Sequence, residues 1–223
     1  MGSRSAAEFV GTALLVAMVI GSGIMAESLT SDSALALLLN QLATVLGLGV
    51  IILVALPLSG AHINPVVTLA MLARRRISGR DAGVYIAVQL VGSVAGVALA
   101  HVMFGRAVLE VSSQDRLSVG TFVGEIVATS GLIAVILLLS HRKSESLIPI
   151  AVPAWIGSAY FFTSSTSFAN PAVTVGRIFT DSFAGIAPLS GLGFLGAQIL
   201  GGLIALSLVI PVISQSKEKN HDR

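Results

Sequence analysis

The sequence predicts an all-α membrane protein with six transmembrane helices and two re-entrant half-helices, arranged as an inverted repeat. Composition is the first reason, because 54% of the 223 residues are hydrophobic and only 11% are charged, whereas a soluble domain carries roughly 25% charged residues. The second reason is that six apolar runs are long enough to cross a hydrocarbon core of about 30 Å. The third is that two shorter apolar segments each contain an Asn-Pro pair.

The six spans follow from the apolar runs in chain order. The first run is about twenty residues long, which exceeds the apolar core of a signal peptide, so we expect it to be a retained helix. The spans are predicted at 6–26, 34–58, 82–104, 119–139, 147–163 and 189–213.

Basic residues are distributed unevenly between the connections. By the positive-inside rule, both termini and the tail at 214–223 are predicted to be cytoplasmic, and the acidic loop at 27–33 is predicted to lie outside. The location that this implies is the plasma membrane, or the inner membrane of a bacterium. Ten Lys and Arg residues lie on the cytoplasmic side, and three on the other: Arg4, Arg74, Arg75, Arg76, Arg80, Arg142, Lys143, Lys217, Lys219 and Arg223, against Arg106, Arg116 and Arg177.

The two leftover apolar segments, 63–73 and 168–179, are too short to span a bilayer. Non-helical backbone at membrane depth survives only where protein or water satisfies it, so these segments are candidate half-helices. One follows the second span and the other the fifth, so residues 1–223 form one channel domain of two repeats, approximately 5–104 and 119–213. Three crossings per repeat invert the second copy, the plan that places a solute site at the midplane. The repeats share polar positions: Glu8 with Glu125, Asn64 with Asn170, and Gln89 with Gln198.

The Asn-Pro pairs have a specific chemistry at a helix start. Pro in the first turn loses no hydrogen bond, and the Asn before it caps the helix through its side-chain oxygen. The amide NH₂ groups then remain as donors at the pore centre, where two helix N-termini repel cations. The backbone before each Asn would offer carbonyl groups to the solute. The pore motifs are Asn64, Pro65 and Val66 in the first half, and Asn170, Pro171 and Ala172 in the second.

These residues resemble the major intrinsic proteins, the family of aquaporins and aquaglyceroporins. The resemblance implies an aquaporin-like right-handed bundle, a pore in every protomer and a homotetramer. The sequence contains no metal, nucleotide or catalytic constellation, so no cofactor, metal or enzymatic activity is expected. It covers nearly the whole chain: "AAEFVGT" at 6–12, "SGAHINPVVTLA" at 59–70, "YIAVQLVG" at 85–92, Glu125 in the fourth span, "ANPAVT" at 169–174 and "FLGAQILGG" at 194–202.

The chain departs from the family pattern at the outer constriction. The first motif has Val66 where the family usually has Ala, and Val173 stands where the family normally has Arg. Matching the constriction by counting from the motifs gives Thr44, Ser158, Ser167 and Val173, none of them aromatic or charged. The resemblance then implies a wide opening for water, glycerol-like polyols and metalloid hydroxides such as arsenite and antimonite, as in arsenic-linked bacterial members with Val at this position. A water-selective aquaporin remains the alternative.

Several further polar residues have two interpretations each. Arg177 is a candidate for the outer vestibule, or else it pairs with Asp181 at i+4 or reaches lipid headgroups. His62 either holds the first loop or acts as a pH-sensitive gate. The other buried polar residues are assigned structural roles: by the resemblance, Glu8 and Glu125 anchor the two loops, with proton movement as the alternative, and Gln89 and Gln198 bridge helices.

Several function classes are disfavoured. The absence of Cys excludes disulfides and thiol chemistry, and the scattered basic residues form no nucleic-acid-binding face. An ion-coupled secondary transporter would need a titratable relay along the route, where Asn, Ser, Thr and Val are predicted instead. A structural junction protein would have an occluded pore, which the wide constriction argues against.

Overall fold

The computed structural model describes residues 2–221, and its regular elements are helices. The all-α prediction is confirmed. The α-helices of this part of the chain are α1 (Gly2–Leu29), α2 (Ser33–Ser59), α3 (Pro65–Ala73), α4 (Gly79–Met103), α5 (Val119–His141), α6 (Ile148–Phe162), α7 (Pro171–Arg177) and α8 (Pro188–His221), with a 3₁₀ turn at Glu145–Leu147 before α6.

Six of these helices are long and apolar enough to cross a membrane, which confirms the six-span prediction. They are α1, α2, α4, α5, α6 with its preceding turn, and the Pro188–Ser214 part of α8. Helix α8 continues to His221, through most of the segment predicted as a tail. Residues 222–223 lie outside the described residues.

Local sequence signals determine where the long helices begin. The Asp32 side chain accepts a hydrogen bond from the backbone N–H of Leu35 at the start of α2. At the start of α5, Ser118 and Thr121 form a reciprocal capping box. Such caps satisfy backbone donors that have no partner inside the helix. Gly60 caps the C-terminus of helix α2, and its φ of 89° lies in the left-handed region that favours glycine.

The two halves repeat one arrangement, in which a short helix follows two long ones and a last long helix packs back on the first. Helix α4 packs closely on α1, and α8 on α5. A Cβ built on Gly92 would lie 2.5 Å from the carbonyl oxygen of Phe9, and one on Gly201 would lie 2.7 Å from that of Ile126. Small residues let membrane helices approach this closely, and the same contact recurs in both halves.

The segment between α4 and α5 folds over the end of α7. The backbone N–H of Ser112 donates to the carbonyl of Ile178 at 2.8 Å, and that of Ala187 donates to Gln114 at 2.7 Å. This segment therefore closes over one end of the bundle and positions Arg116 there.

Candidate functional site

The two short helices meet N-terminus to N-terminus inside the bundle. Each Asn caps its own helix, because Asn64 Oδ1 accepts from the N–H of Val66 at 2.9 Å and Asn170 Oδ1 accepts from that of Ala172 at 3.0 Å. The half-helix prediction is confirmed in this geometry. Both positive helix ends point at the same central region, which disfavours cations there.

The Asn side chains also tie the two half-helices together. Asn64 Nδ2 donates to the carbonyl of Ala169, and Asn170 Nδ2 donates to that of Ile63, each at 2.8 Å. Sequence reasoning expected both NH₂ groups to be free for solute. Instead, one N–H of each amide is bonded across the pseudo-twofold axis, which leaves the second N–H for a molecule in the pore.

The chain before each Asn has an unusual backbone that repeats in both halves. Ala61 and Ile63 have φ of 49° and 50°, and their counterparts Ser167 and Ala169 have φ of 52° and 47°. Left-handed conformations are uncommon for residues with a Cβ and persist only where the surroundings hold them in place. All four residues line the central cavity.

In the first half, Glu8 holds this strained segment. Its carboxylate accepts hydrogen bonds from the N–H groups of His62 at 2.9 Å and Ile63 at 2.6 Å. It also accepts from Ser59 Oγ at 2.6 Å and Gln89 Nε2 at 2.8 Å. Four donors on one buried carboxylate satisfy its oxygens, which is the condition for keeping a polar group away from water.

In the second half, Glu125 does the same. It accepts from the N–H groups of Phe168 at 2.8 Å and Ala169 at 2.9 Å, from Ser165 Oγ at 2.7 Å and from Gln198 Nε2 at 2.6 Å. Neither glutamate lines the cavity. The geometry is that of an anchor for strained backbone, and gives these carboxylates no position from which to move a proton along the pore.

His62 and Val66 are placed by contacts with neighbouring helices. The His62 ring lies edge-on to the Tyr85 ring at 5.2 Å, and its Nδ1 is 3.1 Å from Thr68 Oγ1. Val66 is buried against α8, where a Cβ on Gly202 would lie 2.6 Å from Val66 Cγ1. The extra bulk of Val66 is therefore accommodated by a glycine, a compensation that sequence reasoning missed.

A cavity runs beside the two Asn residues, with a polar wall and an apolar wall. It offers about 60 Å³ to the centres of water-sized molecules, several times the roughly 10–15 Å³ that one water needs. The polar wall consists of the two strained segments, which carry backbone carbonyls and the Asn side chains. The apolar wall consists of Leu15, Val19, Leu48, Ile52, Leu132, Ile136, Val152 and Ile156.

Ser158 does not belong to the constriction, and that prediction is wrong. Its side chain is exposed and donates to the carbonyl of Ala154 on its own helix. The residues of α6 that line the cavity are Val152, Ile156 and Tyr160, which recur every four positions. Side chains two apart on a helix point about 200° apart, so counting back from the motif selected the wrong face.

Tyr160 is a cavity-lining residue that sequence reasoning missed. It is buried in the cavity wall, and its hydroxyl donates to Thr44 Oγ1 at 3.5 Å. The cavity wall beside Thr44 therefore contains an aromatic ring, which the four positions matched from sequence lack. The spacing of four from Ile156 is the sequence signal that marks this face of α6.

Thr44, Ser167 and Val173 do line the same cavity as Tyr160. Ser167 is 3% exposed, and its Oγ has no hydrogen-bond partner among the described residues. An unpartnered hydroxyl on a pore wall is a donor or acceptor for a passing solute. Val173 is buried and contributes only an isopropyl group, so the wall has no charge at this level.

Arg177 also lines the cavity, one turn beyond Val173 on α7. The alternative that it pairs with Asp181 is wrong, because the Asp181 carboxylate accepts from the N–H and Oγ of Ser113 at 2.9 and 3.0 Å. Arg177 Nε donates to the carbonyl of Ala184. Its guanidinium carbon lies 3.3 Å from the centre of the Phe168 ring, a stacking that stabilises a cation by about 0.5–2 kcal/mol.

Together these features define a class of protein: a membrane channel built from an inverted repeat, with two capped half-helices beside one continuous cavity. The family model described as Major intrinsic protein matches residues 3–168. This chain belongs to the major intrinsic protein family, whose aquaporins and aquaglyceroporins are channels and not enzymes.

Individual relatives cover most of the chain. It is 46% identical over 208 residues to the aquaglyceroporin AqpS of Rhizobium meliloti (strain 1021), which covers 92% of this chain and 88% of that protein. It is 28% identical over 218 residues to a glycerol uptake facilitator protein of Pseudomonas aeruginosa, across 84% and 77% of the two chains. The X-ray structure of the aquaglyceroporin from Plasmodium falciparum matches with a TM-score of 0.73 at 22% identity, over 96% of this chain and 99% of that one. That likeness shows the fold.

Proposed function

We propose that this protein is a passive channel for small neutral solutes, namely water, glycerol-like polyols and metalloid hydroxides such as arsenite. The observation that carries the proposal is Val173 in the cavity wall, where the family normally places Arg. With an uncharged isopropyl group beside Thr44 and Ser167, the wall offers hydroxyls and carbonyls to a neutral solute. Selectivity in such pores follows from diameter and lining donors.

The relatives support the polyol part of this proposal. The aquaglyceroporin and the glycerol uptake facilitator are named for glycerol, and they align with 92% and 84% of this chain. Arsenite enters the proposal through its chemistry, since its neutral trihydroxide presents hydroxyl groups much as glycerol does.

A water-selective channel is the second candidate, and Tyr160 favours it. The aromatic ring of Tyr160 in the wall beside Thr44, and Arg177 one turn beyond Val173, add bulk that the four positions matched from sequence lack. Purified protein in lipid vesicles separates the two candidates by stopped-flow light scattering. Water, glycerol and arsenite permeability above that of protein-free vesicles supports the wide channel. Water flux alone would replace it with the second candidate.

The assembly and orientation are part of the same proposal. We infer a homotetramer in the cell membrane with both termini in the cytoplasm, from the family resemblance and the positive-inside rule. The exposed face of α2, which includes Leu35, Leu42 and Leu46, is apolar and suits either lipid or a second copy. Labelling of a tag in the loop between α1 and α2 from outside, with none at the termini, supports this orientation. The opposite pattern contradicts it.

A further inference from the structure

The pore carries a guanidinium at a level where the family motif does not place one. Arg177 is 4% exposed and shares the cavity with Val173. Its Nε donates to the carbonyl of Ala184, and its own carbonyl accepts from the N–H of Ile186 at 3.0 Å. The turn after α7 therefore forms hydrogen bonds with both the backbone and the side chain of Arg177. These contacts determine where the Arg177 side chain points.

The side chain of Arg116 lies near the same aromatic ring as that of Arg177, the ring of Phe168. The guanidinium carbons of Arg177 and Arg116 lie 3.3 and 6.0 Å from the centre of the Phe168 ring. Arg116 is held from the loop side, where its Nε and NH2 donate to the carbonyls of Gly185 and Phe183, each at 2.6 Å. Burial of Arg116 lowers its pKa, yet a guanidinium remains protonated at neutral pH.

Neither guanidinium forms an ion pair with a carboxylate among residues 2–214, and the carboxylate whose charge reaches Arg177 from further away is Glu125. Among the side chains that the structure describes, which end at residue 214, the ion pair joins Arg106 and Glu110, at 3.1 Å. Asp181 is the acidic residue nearest to Arg177 in the sequence, and its carboxylate accepts hydrogen bonds from Ser113 instead. The hydrogen-bond partner of Arg177 is a neutral carbonyl, so its positive charge acts on whatever enters the cavity. Such a charge is screened little where low-dielectric walls surround it.

We propose that Arg177 excludes cations from the part of the pore beyond Val173, in addition to the barrier that the two helix N-termini form at the pore centre. The proposal rests on the proposed function, and it divides selectivity between two levels of the pore. Val173 leaves the constriction wide enough for neutral polyols, while Arg177 supplies the positive potential about 6 Å further along α7, four residues at 1.5 Å each. A channel of this kind passes neutral hydroxylated solutes and rejects potassium, sodium and small organic cations.

The main test uses Arg177→Gln, because Gln retains a donor for Ala184 while losing the charge. Purified wild type, Arg177→Gln and Arg177→Lys are placed in vesicles, and potassium entry is followed with a voltage-sensitive dye. Glycerol uptake in the same vesicles shows that each pore is open. We expect potassium permeability to rise at least tenfold in Arg177→Gln and to stay low in Arg177→Lys, which keeps the charge.

Two results would overturn the inference. One is an Arg177→Gln channel that takes up glycerol above protein-free vesicles and still excludes potassium as well as wild type does. The other is a wild type that conducts potassium. If wild type passes neither water nor glycerol, it is the proposed function that fails, so the two failures are distinguishable.

If Arg177→Gln does not fold, a second measurement on the wild type tests whether Arg177 presents its positive charge to the pore. A guanidinium that lines the pore without an ion-pair partner should bind a weakly hydrated anion, so thiocyanate should slow glycerol uptake by wild type at least twofold. Tetramethylammonium at the same ionic strength should not. Slowing that persists in Arg116→Gln assigns the anion site to Arg177. Absence of anion-specific slowing, or its loss in Arg116→Gln, contradicts the proposal.

Discussion

Replacing Val173 by Arg tests most directly which residue determines the width of the pore. Val173 is buried in the wall of a cavity that offers about 60 Å³ to the centres of water-sized molecules. Since a cavity needs roughly 10–15 Å³ of such space to hold one water, this one has room for only a few water positions. A guanidinium side chain brings five N–H donors and several more atoms than an isopropyl group, so it would occupy much of that space.

The expected result is a change in the ratio of two permeabilities. Water is small enough to move past the new side chain in single file, whereas glycerol needs several of the displaced positions at once. We expect the glycerol-to-water permeability ratio to fall at least tenfold, which corresponds to about 1.4 kcal/mol of added barrier for glycerol relative to water. Stopped-flow light scattering on vesicles measures both permeabilities with the same protein sample.

In Val173→Arg the new guanidinium lies near that of Arg177, and the size of their repulsion can be calculated. Two guanidiniums about 6 Å apart along a helix repel by about 3 kcal/mol at an effective dielectric constant of 20. That is a large fraction of a membrane protein's stability, so the substitution is also made together with Arg177→Gln. Ser158→Leu is the matched control, because it adds bulk on α6 outside the cavity. Equal ratios in wild type and in a correctly inserted Val173→Arg would refute the reasoning, as would a changed ratio in Ser158→Leu.

Two further predictions concern the pore centre and the helix packing. Asn64→Asp or Asn170→Asp removes a 2.8 Å hydrogen bond to a carbonyl of the opposite loop and leaves a buried acceptor unsatisfied at a cost of about 1–3 kcal/mol. The added carboxylate also weakens the positive potential of the helix ends. Vesicle assays should therefore show potassium leakage, or purification should yield less folded protein, and unchanged yield with unchanged ion exclusion would contradict this. Gly92→Val places a Cβ 2.5 Å from the Phe9 carbonyl oxygen, whereas Gly196→Val meets no atom within 4 Å. Overpacking of about 1–3 kcal/mol should lower the thermal unfolding midpoint of the first variant only, and equal midpoints would show that α1 and α4 separate without cost.

The elements of the fold were predictable because each depends on a local signal. A long apolar run must form a helix in a bilayer, since every backbone N–H and C=O needs a partner within the segment. The half-helices followed from Asn-Pro pairs, whose capping chemistry concerns adjacent residues. The pairing of Glu8 with Glu125 was visible as a repeat, and the structure gives the two carboxylates equivalent sets of donors.

The residues of the constriction were only partly predictable from sequence. Which side chains face the cavity depends on how each helix is rotated about its own axis, and counting residues from a motif does not give that rotation. Thr44, Ser167 and Val173 were identified from the motifs and do line the cavity. Ser158 was selected by the same counting, but a displacement of two residues turns a helix by about 200°. Tyr160 thus stands in the wall, and Ser158 is on the exposed face of α6.

The sequence by itself determined the membrane setting, the six spans, the two capped half-helices and their inverted repetition, because hydropathy and capping act over a turn or two of the chain. Only the tertiary structure decided which side chains face the pore. The direction of Arg177 depends on a turn that brings Ala184 back to its Nε and on Phe168, which is nine positions earlier and tied to Glu125 of another helix. Those contacts join parts of the chain that no local pattern connects. The sequence left Arg177 open between the outer vestibule and an ion pair or headgroup contact, and the structure places it in the cavity wall.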